Sequence, residues 1–557
     1  MEKIKFNFKD ITIFFLVSII SNFLTIRLSF ISGDIINKIY DKTLMDNLII
    51  YSMKLILIVV LAMGSVTIKN SYRVYLVSNR SGKYRTILYN KILNKKLDEF
   101  KKNAPSYYHN LLYSDIETLR GDYLNSKLLM MDSVLLLLGA SIFITNIHYV
   151  FLIIAILSAF IPYLIPKFFE GYMDRQRVVN SKASEDYISF VKEGVLGVET
   201  IRDYHIEDNF IEDFSKYKNN LLESGNKLMD IQNLIVASSI FSGFLMYAVI
   251  LSSGVFLHNR GLISIGAIFV ASQLTNSIKS PVIDIINNKI YMNSTKSIRE
   301  KLFSELTEDK IIEKDKDFSF KNKISIENLS FSYDGENKIL KDVNLEIYKN
   351  NKYLIVGESG SGKSTFFKIL MKWIENFSGN IFVDSKNINE ITTQEWNKEF
   401  VPVLQETYIF EKSIGFNITL EENYDEKRLA EAIKTSGLSD FVSNLDKGIN
   451  TVIKEDGSNI SGGEKKRIGI ARALYKNGNV LLVDEPFSSI DKKTQEQIEK
   501  MLLSLEDKTI LNISHSYDEN FIRQYDYVIH FEKGIVRVFD SKSYCLNDKE
   551  DANDKNK

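Results

Sequence analysis

Six long apolar runs in the first half of the chain constrain its fold more than any other feature. They extend approximately over Ile11 to Ile31, Leu48 to Ile68, Leu128 to Ile144, Tyr149 to Phe168, Leu234 to Leu257 and Ile265 to Val282. Hydrocarbon offers a backbone no hydrogen-bond partners, so a segment that crosses it must satisfy its own amides, and about 20 residues of helix do this over one bilayer thickness. The runs therefore predict six membrane-spanning helices. Arg27, Lys54, Gln273 and Lys279 fall inside them and blur their ends. Lys3, Lys5 and Lys9 precede the first run in the manner of a secretory signal. No small-residue cleavage pattern follows, so the first run is expected to be retained as a span.

The connections after the first, third and fifth runs are short. Those after the second and fourth are long and helical in character, with apolar residues every three or four positions over Tyr84 to Phe100 and Lys182 to Ile201. The first long connection carries Lys83, Arg85, Lys91, Lys95, Lys96, Lys101 and Lys102, against Lys38 and Lys42 in the short loop after the first run. The positive-inside bias places the long connections in the cytoplasm, and an even number of spans places both termini there too. Whole-chain composition hides this organisation, because 45% apolar and 25% charged residues describe an average soluble protein. The formal charge of -1 gives no basic field, so nucleic acid is not an expected partner. Cys545 is the single cysteine, which excludes an intrachain disulfide and fits a reducing compartment for its domain. With no cysteine ahead of the first run, cysteine-based cleavage of a peptide leader is not expected of this chain.

The expected domains are a membrane domain with cytoplasmic helical extensions over 1–302, a charged linker over 303–322, an α/β domain over 323–545, and a disordered polar tail over 546–557. In the third of these, short β-rich runs such as Lys352 to Val356 and Val480 to Val483 alternate with helical stretches, the pattern of a parallel sheet. The fold class is thus an α-helical six-span transmembrane domain joined to an α/β domain, which the glycine-rich stretch Gly357 to Thr365 marks as a phosphate-loop NTPase.

The residues Gly357 to Thr365 fit G-x-x-x-x-G-K-[ST] and lie between the strand-like Tyr353 to Val356 and the helical Phe366 to Lys372. Gly357, Gly360 and Gly362 let backbone N–H groups wrap phosphates, and the helix N-terminus adds its positive dipole end. Lys363 would contact the outer phosphates and Ser364 would ligate magnesium, with Thr365 beside it. Further on, Val480 to Val483 is a buried-strand run that ends in Asp484 and Glu485. An acid at such a strand end holds magnesium, and the next carboxylate can polarise an attacking water. About a hundred residues after the loop stands Ile460-Ser461-Gly462-Gly463-Glu464, a serine and two bare glycine backbones opening a helix. Taken alone, Ser461 to Glu464 is also a capping box. Taken as an anion site, it has no second anion within its own domain.

Together these motifs resemble the ATP-binding cassette family along the whole second half of the chain. By that resemblance Tyr333 stacks on adenine, Gln405 lies between the catalytic core and a helical subdomain and reaches the metal and the water, and Ser461, Gly462 and Gly463 form the signature. Asp491, in Ser488-Ser489-Ile490-Asp491, belongs to the loop after the second acid, and His515 senses the terminal phosphate. Ile460, Glu464 and Leu404 depart from the commonest residues at their positions without removing a catalytic group. The implied cofactors are ATP and Mg2+, with Asp484, Ser364 and Gln405 toward the metal and Glu485 as general base. The first half resembles the six-helix, type IV exporter domain, best over Ser114-Asp115, Glu193 to Arg202 and Gly261 to Gly266. Ser106 to Leu112 and Asp203 to Asn209 would then be coupling helices.

In this family the signature binds nucleotide held by another copy of the domain, so the resemblance implies a second half-transporter. A chain with every motif can pair with itself, and a sibling subunit also fits. The implied activity is ATP-driven export across the plasma membrane of an unidentified substrate, of peptide or amphipathic multidrug type by preference, with membrane lipid around it. Import on the same fold, lipid flipping, or a sensor that gates a partner are the rival readings. On the sixth run, Gln273, Asn276, Ser280, Asp284 and Asn287 recur on one helical face, expected to avoid lipid. From Asp284 onward the same face also fits a segment already outside the membrane. Arg27, close to an expected outer end, either snorkels to a headgroup or meets an anionic substrate.

Overall fold

The computed structural model describes residues 6–43, 48–306, 318–454, 457–485, 492–514 and 519–545. It divides into two compact units, one made of Met1–Asn94 and Ala104–Glu308, the other of Lys95–Asn103 and Asp309–Lys557.

The first unit is built on six long helices, Phe8–Tyr40, Leu48–Leu93, Pro105–Ile147, Tyr149–Leu196, Glu207–Asn259 and Ile265–Ser294. The second has 46 residues and so reaches about 70 Å, more than twice the hydrocarbon thickness of a bilayer. The long connections read from the sequence are therefore continuations of the spanning helices rather than separate elements. Among the described residues, Phe8–Tyr40, Leu48–Leu93, Pro105–Ile147 and Glu207–Asn259 are long and apolar enough to cross a membrane. The other two long helices contain the fourth and sixth runs, and in the sixth Gln273, Asn276 and Lys279 dilute the apolar sequence.

Packing within this unit depends on close backbone approach. A Cβ at Gly266 would lie 2.1 Å from Gly33 O, and one at Gly33 would lie 2.3 Å from Val270 Cγ2, so the first and sixth helices touch through bare glycines. The sixth helix begins at this contact. Ser264 Oγ accepts from Ala267 N at 3.2 Å, while Asn37 Oδ1 accepts from Gly266 N at 2.6 Å, satisfying two N-terminal amides that the helix cannot. The third helix widens into π-helical turns at Leu111–Asp115 and Leu119–Asn125. Within the first of these, Asp115 pairs with Lys301 of the helix Lys296–Leu306 at 2.6 Å.

In the second unit the strands are β1 Lys323–Phe331, β2 Leu340–Tyr348, β3 Lys352–Gly357, β4 Ser378–Val383, β5 Lys386–Asn387, β6 Phe400–Val403, β7 Val480–Asp484, β8 Thr509–Ile513, β9 Tyr527–Glu532 and β10 Ile535–Asp540. They form an antiparallel sheet in the order β2-β1-β4-β5 and a second sheet in the order β10-β9-β3-β8-β7-β6, parallel except for β10. Every residue of β3 and β8 is buried, as expected of parallel strands covered on both faces. Trp396 and Phe400 anchor the core as stacked rings 3.8 Å apart, and Trp396 Nε1 donates to Leu370 O at 2.8 Å. A separate apolar cluster of Ile414, Ile418, Leu429, Ile433, Leu438, Ile468 and Ala471 holds a helical subdomain together.

The short helix Leu97–Phe100 also belongs to the second unit. Lys96 Nζ meets the Glu375 carboxylate at 2.6 Å, and Lys101 Nζ sits 4.4 Å from the centre of the Trp373 ring. The hydrogen bond to Glu375 raises the Lys96 pKa, whereas burial lowers that of Lys101. Ser106 to Leu112, the expected coupling segment, lies a few residues beyond, in the first unit. The switch of units falls just ahead of Pro105, which opens the third long helix.

Candidate functional site

The carboxyl ends of the parallel strands carry the charged residues singled out by the sequence. Ile513 of β8 pairs with Ile355 of β3 on one side and with Asp484 of β7 on the other, which sets the phosphate loop and the two acids around a single strand end. Ligands of open α/β sheets bind at such ends.

β3 leaves the sheet at Gly357, whose φ of 148° and tight surroundings admit no side chain: a Cβ would lie 2.3 Å from Phe531 O of β9. The loop closes at Gly362, with φ 108°, and the helix Lys363–Leu370 starts there. Lys363 is almost fully buried, and its Nζ donates to Gly357 O at 2.7 Å and Glu358 O at 2.8 Å. Burial lowers its pKa, while the carboxylates of Glu485 and Asp484 act to raise it. Ser364 is exposed at the first helical turn and Thr365 is buried behind it. Ser361 Oγ is buried with no hydrogen-bond partner. A cradle too tight for side chains, a buried lysine and an unpartnered hydroxyl fit a phosphate chain. Ser361 occupies a free position of the motif, so pattern reading passed over it; only its burial marks it.

Asp484 ends β7 partly buried, and its carboxyl is pushed above the ordinary value by burial first and by Glu485 second, with Lys368 and Lys363 opposing. Glu485 follows with φ 44°, a left-handed conformation that costs a side-chain-bearing residue about 1–3 kcal/mol. Its N–H donates to Ile513 O at 3.2 Å, which fixes the turn. The hydroxyl of Ser364 and the carboxylate of Asp484 fit Mg2+, which uses few protein ligands and takes the rest from phosphate and water.

The helix Gly462–Lys476 starts at Ser461, whose Oγ accepts from Glu464 N at 3.3 Å while Ser461 N donates to Glu464 Oε2 at 2.6 Å. The capping box is formed, and Ser461 and Gly462 stay exposed. Gln405 follows β6 and is exposed. Tyr333 is 60% exposed, held edge-on against Phe331 with ring centres 4.8 Å apart. The turn after it is fixed by Asp334, which accepts from Glu336 N at 3.0 Å and Asn337 N at 2.8 Å. Asp491, the residues 488–490 and His515 lie outside the described residues.

Sequence comparison matches residues 340–488 to the family model described as ABC transporter and residues 11–282 to that of the ABC transporter transmembrane region. The chain is an ABC transporter polypeptide. Among curated relatives, this ABC transporter is 27% identical over 417 residues to the lactococcin-G-processing and transport ATP-binding protein of Lactococcus lactis subsp. lactis, covering 74% of this chain and 59% of that protein. It is 34% identical over 304 residues to a probable ABC transporter ATP-binding/permease protein of Haemophilus influenzae, covering 54% of each. The chain thus spans little more than half the length of these two relatives. It is also 27% identical to the ATP-dependent lipid A-core flippase of Syntrophus aciditrophicus, over 81% of this chain and 76% of that one. A solved bacterial Atm1-family ABC exporter with ATP bound superimposes with a TM-score of 0.80 over 97% of this chain and 96% of its own, at 18% identity. The fold is that of an ABC exporter.

In the membrane unit, Gln273, Asn276, Ser280, Asp284 and Asn287 are all exposed, and Ala271, Leu274, Ile278 and Pro281 of the same helix are buried. The expected polar stripe is thus one open face of the sixth helix. Arg27 is exposed as well.

Proposed function

We propose that this chain is one half of an ATP-hydrolysing ABC exporter that works as a dimer in the plasma membrane, both termini cytoplasmic. The observation that carries the reading is the register around Ile513, which sets Asp484 and Glu485 beside a complete phosphate loop. Lys363 and the loop amides hold the phosphates, with Ser361 donating to them. A bound magnesium ion would neutralise charge developing on the transferred phosphoryl group, and Asp484 and Ser364 are the residues placed to hold it. Glu485, strained beside Asp484, takes the proton of the attacking water; Gln405 and His515 orient water and phosphate, and Tyr333 stacks on the base. Asp491 is assigned to nucleotide binding from its place in the sequence motif that follows the second acid. Ser461, Gly462 and Gly463 form an exposed helix start that serves the nucleotide of the partner half, so two chains complete two sites. Self-pairing is the default, since every motif is present in one chain.

Relatives named for lactococcin-G processing and transport, lipid A-core flipping and multidrug resistance support export of a peptide or another amphipathic substrate. The open polar face of the sixth helix supplies a surface for it, because polar side chains at membrane depth face water or cargo rather than lipid.

Glu485→Gln is expected to bind ATP as the parent does and to hydrolyse it at least about 100-fold more slowly, the usual worth of a general base. Near-parental hydrolysis by the purified variant would overturn the assignment.

A further inference from the structure

Where the first three long helices meet, the membrane unit buries a cluster of charge that the nucleotide chemistry does not use. Lys69 Nζ lies 2.8 Å from Asp132 Oδ2 and donates to Asn22 Oδ1 at 3.3 Å, and Asn22 Nδ2 donates to Asp132 Oδ1 at 3.1 Å. One cation, one anion and a bridging amide form a closed, balanced set. Arg73 unbalances it. It stands one helical turn beyond Lys69, its Nε is buried without a partner, and no carboxylate among the described residues forms an ion pair with it. Asp132, whose charge acts on Arg73, is already engaged by Lys69.

The first two helices are joined by a short connection and run antiparallel. With Asn22 opposite Lys69, the residue one turn back on the first helix, Ser18, comes level with Arg73, one turn on along the second. Ser18 is fully buried, and its Oγ likewise has no hydrogen-bond partner. The Nε of Arg73 and the Ser18 hydroxyl thus both lack a hydrogen-bond partner within the protein, where unmet polar groups are costly.

The apolar run of the second helix ends near Ile68, and Tyr72 and Tyr75, with ring centres 6.2 Å apart, flank Arg73 as interfacial aromatics do. Leu16, Ile19 and Ile20 are exposed on the first helix at about the same height.

We infer that Arg73 and the Ser18 hydroxyl form a binding subsite for the anionic headgroup of an amphiphile, a phosphate or carboxylate whose apolar chain lies in the bilayer. The Lys69–Asp132–Asn22 set braces the helices that carry it. This inference rests on the membrane insertion of the first unit and is independent of transport. A resident anionic lipid and a transported anionic amphiphile share this chemistry.

The test is native mass spectrometry of the purified full-length chain in dodecyl maltoside, offered equal amounts of dioleoyl phosphatidylglycerol and dioleoyl phosphatidylcholine. The parent should retain the anionic lipid about five-fold over the zwitterionic one, the worth of one cation at a membrane surface. Arg73→Gln should remove the preference, and Arg73→Lys, which keeps the charge without the planar fork, should keep part of it. Arg80→Gln should leave it unchanged, since Arg80 is occupied by Tyr84 at 3.0 Å. Equal retention of both lipids by the parent, or an unchanged preference in a folded Arg73→Gln, overturns the subsite. Adding Mg-ATP separates the sources: lipid that stays bound is resident, and lipid that is released and moved in proteoliposomes is cargo. Retention without any movement leaves the subsite standing and counts against the transport reading alone.

Discussion

Two buried lysines, one in each unit, meet the cost of burial in opposite ways. Lys363 is satisfied by the carbonyls of Gly357 and Glu358, six and five residues away in its own loop. Lys69 is satisfied by Asn22 and Asp132, 47 and 63 residues away on two other helices. The nucleotide unit solves the problem repeatedly with backbone: Lys372 Nζ donates to Ile388 O and Ile391 O, and Lys352 Nζ to the carbonyls of Leu505 and Lys508. The membrane unit has few free carbonyls, because its helices use them internally, so it must bring a counter-charge from another helix. Local solutions leave motifs in a sequence. Long-range solutions leave single polar letters inside apolar runs.

The strongest way to break this comparison is to remove the distant partner. Asp132→Asn should strand a buried ammonium and destabilise the membrane unit by about 3 kcal/mol, while Lys69→Met with Asp132→Leu should recover most of that loss. Thermal unfolding of the detergent-solubilised chain decides it; a single variant as stable as the parent would show that the pair is not structurally required. The local lysine should behave differently. Lys363→Met is expected to leave unfolding nearly unchanged, because its partners are carbonyls of a loop fixed by glycines, but to weaken ATP binding by about 100-fold. Titration with a labelled ATP analogue measures this, and parental affinity would exclude Lys363 from the phosphate site.

The smallest expected effect concerns a buried carboxyl with no lysine at all. Glu499 has Gln495 as its hydrogen-bond partner at 3.1 Å, one turn away, and burial raises its pKa to about 7. Its folded pKa lies above the unfolded one, so the native state holds the proton more tightly. Stability is therefore greatest at pH below the ordinary carboxylate range and falls as the pH rises toward and through about 7. Glu499→Gln should flatten that decline in melting temperature between mildly acidic and mildly alkaline buffer. An unaltered slope would assign the decline to other groups.

The legibility of the two units follows the same division. Lys363, Ser364, Asp484 and Glu485 were readable because a strand, a glycine turn and a helix start are specified by neighbours in sequence. The polar face of the sixth helix was readable from its period, and the structure leaves all five of its residues exposed. Ser361 was not readable, since only burial sets it apart from the other free positions of the motif. Nor was the Lys69–Asp132–Asn22 set: Asp132 sits near the start of an apolar run, and nothing in the run says which helix it faces. Gly266 appeared as one letter of a softly matching stretch, and only packing showed that it lets the first helix through.

By itself, the sequence determined that one half of this protein is made of membrane helices and the other is a phosphate-loop sheet. Periodicity, apolar run length and turn chemistry act over a few residues, and they suffice to specify elements and their ends. Tertiary structure alone decided that Leu97–Phe100 belongs with the nucleotide unit, that Asp484 and Ile355 flank the same residue of β8, and that Lys69, Asp132 and Asn22 meet from three different helices. These facts depend on register between elements far apart in the chain, which is set by the packing of whole faces and not by any one segment.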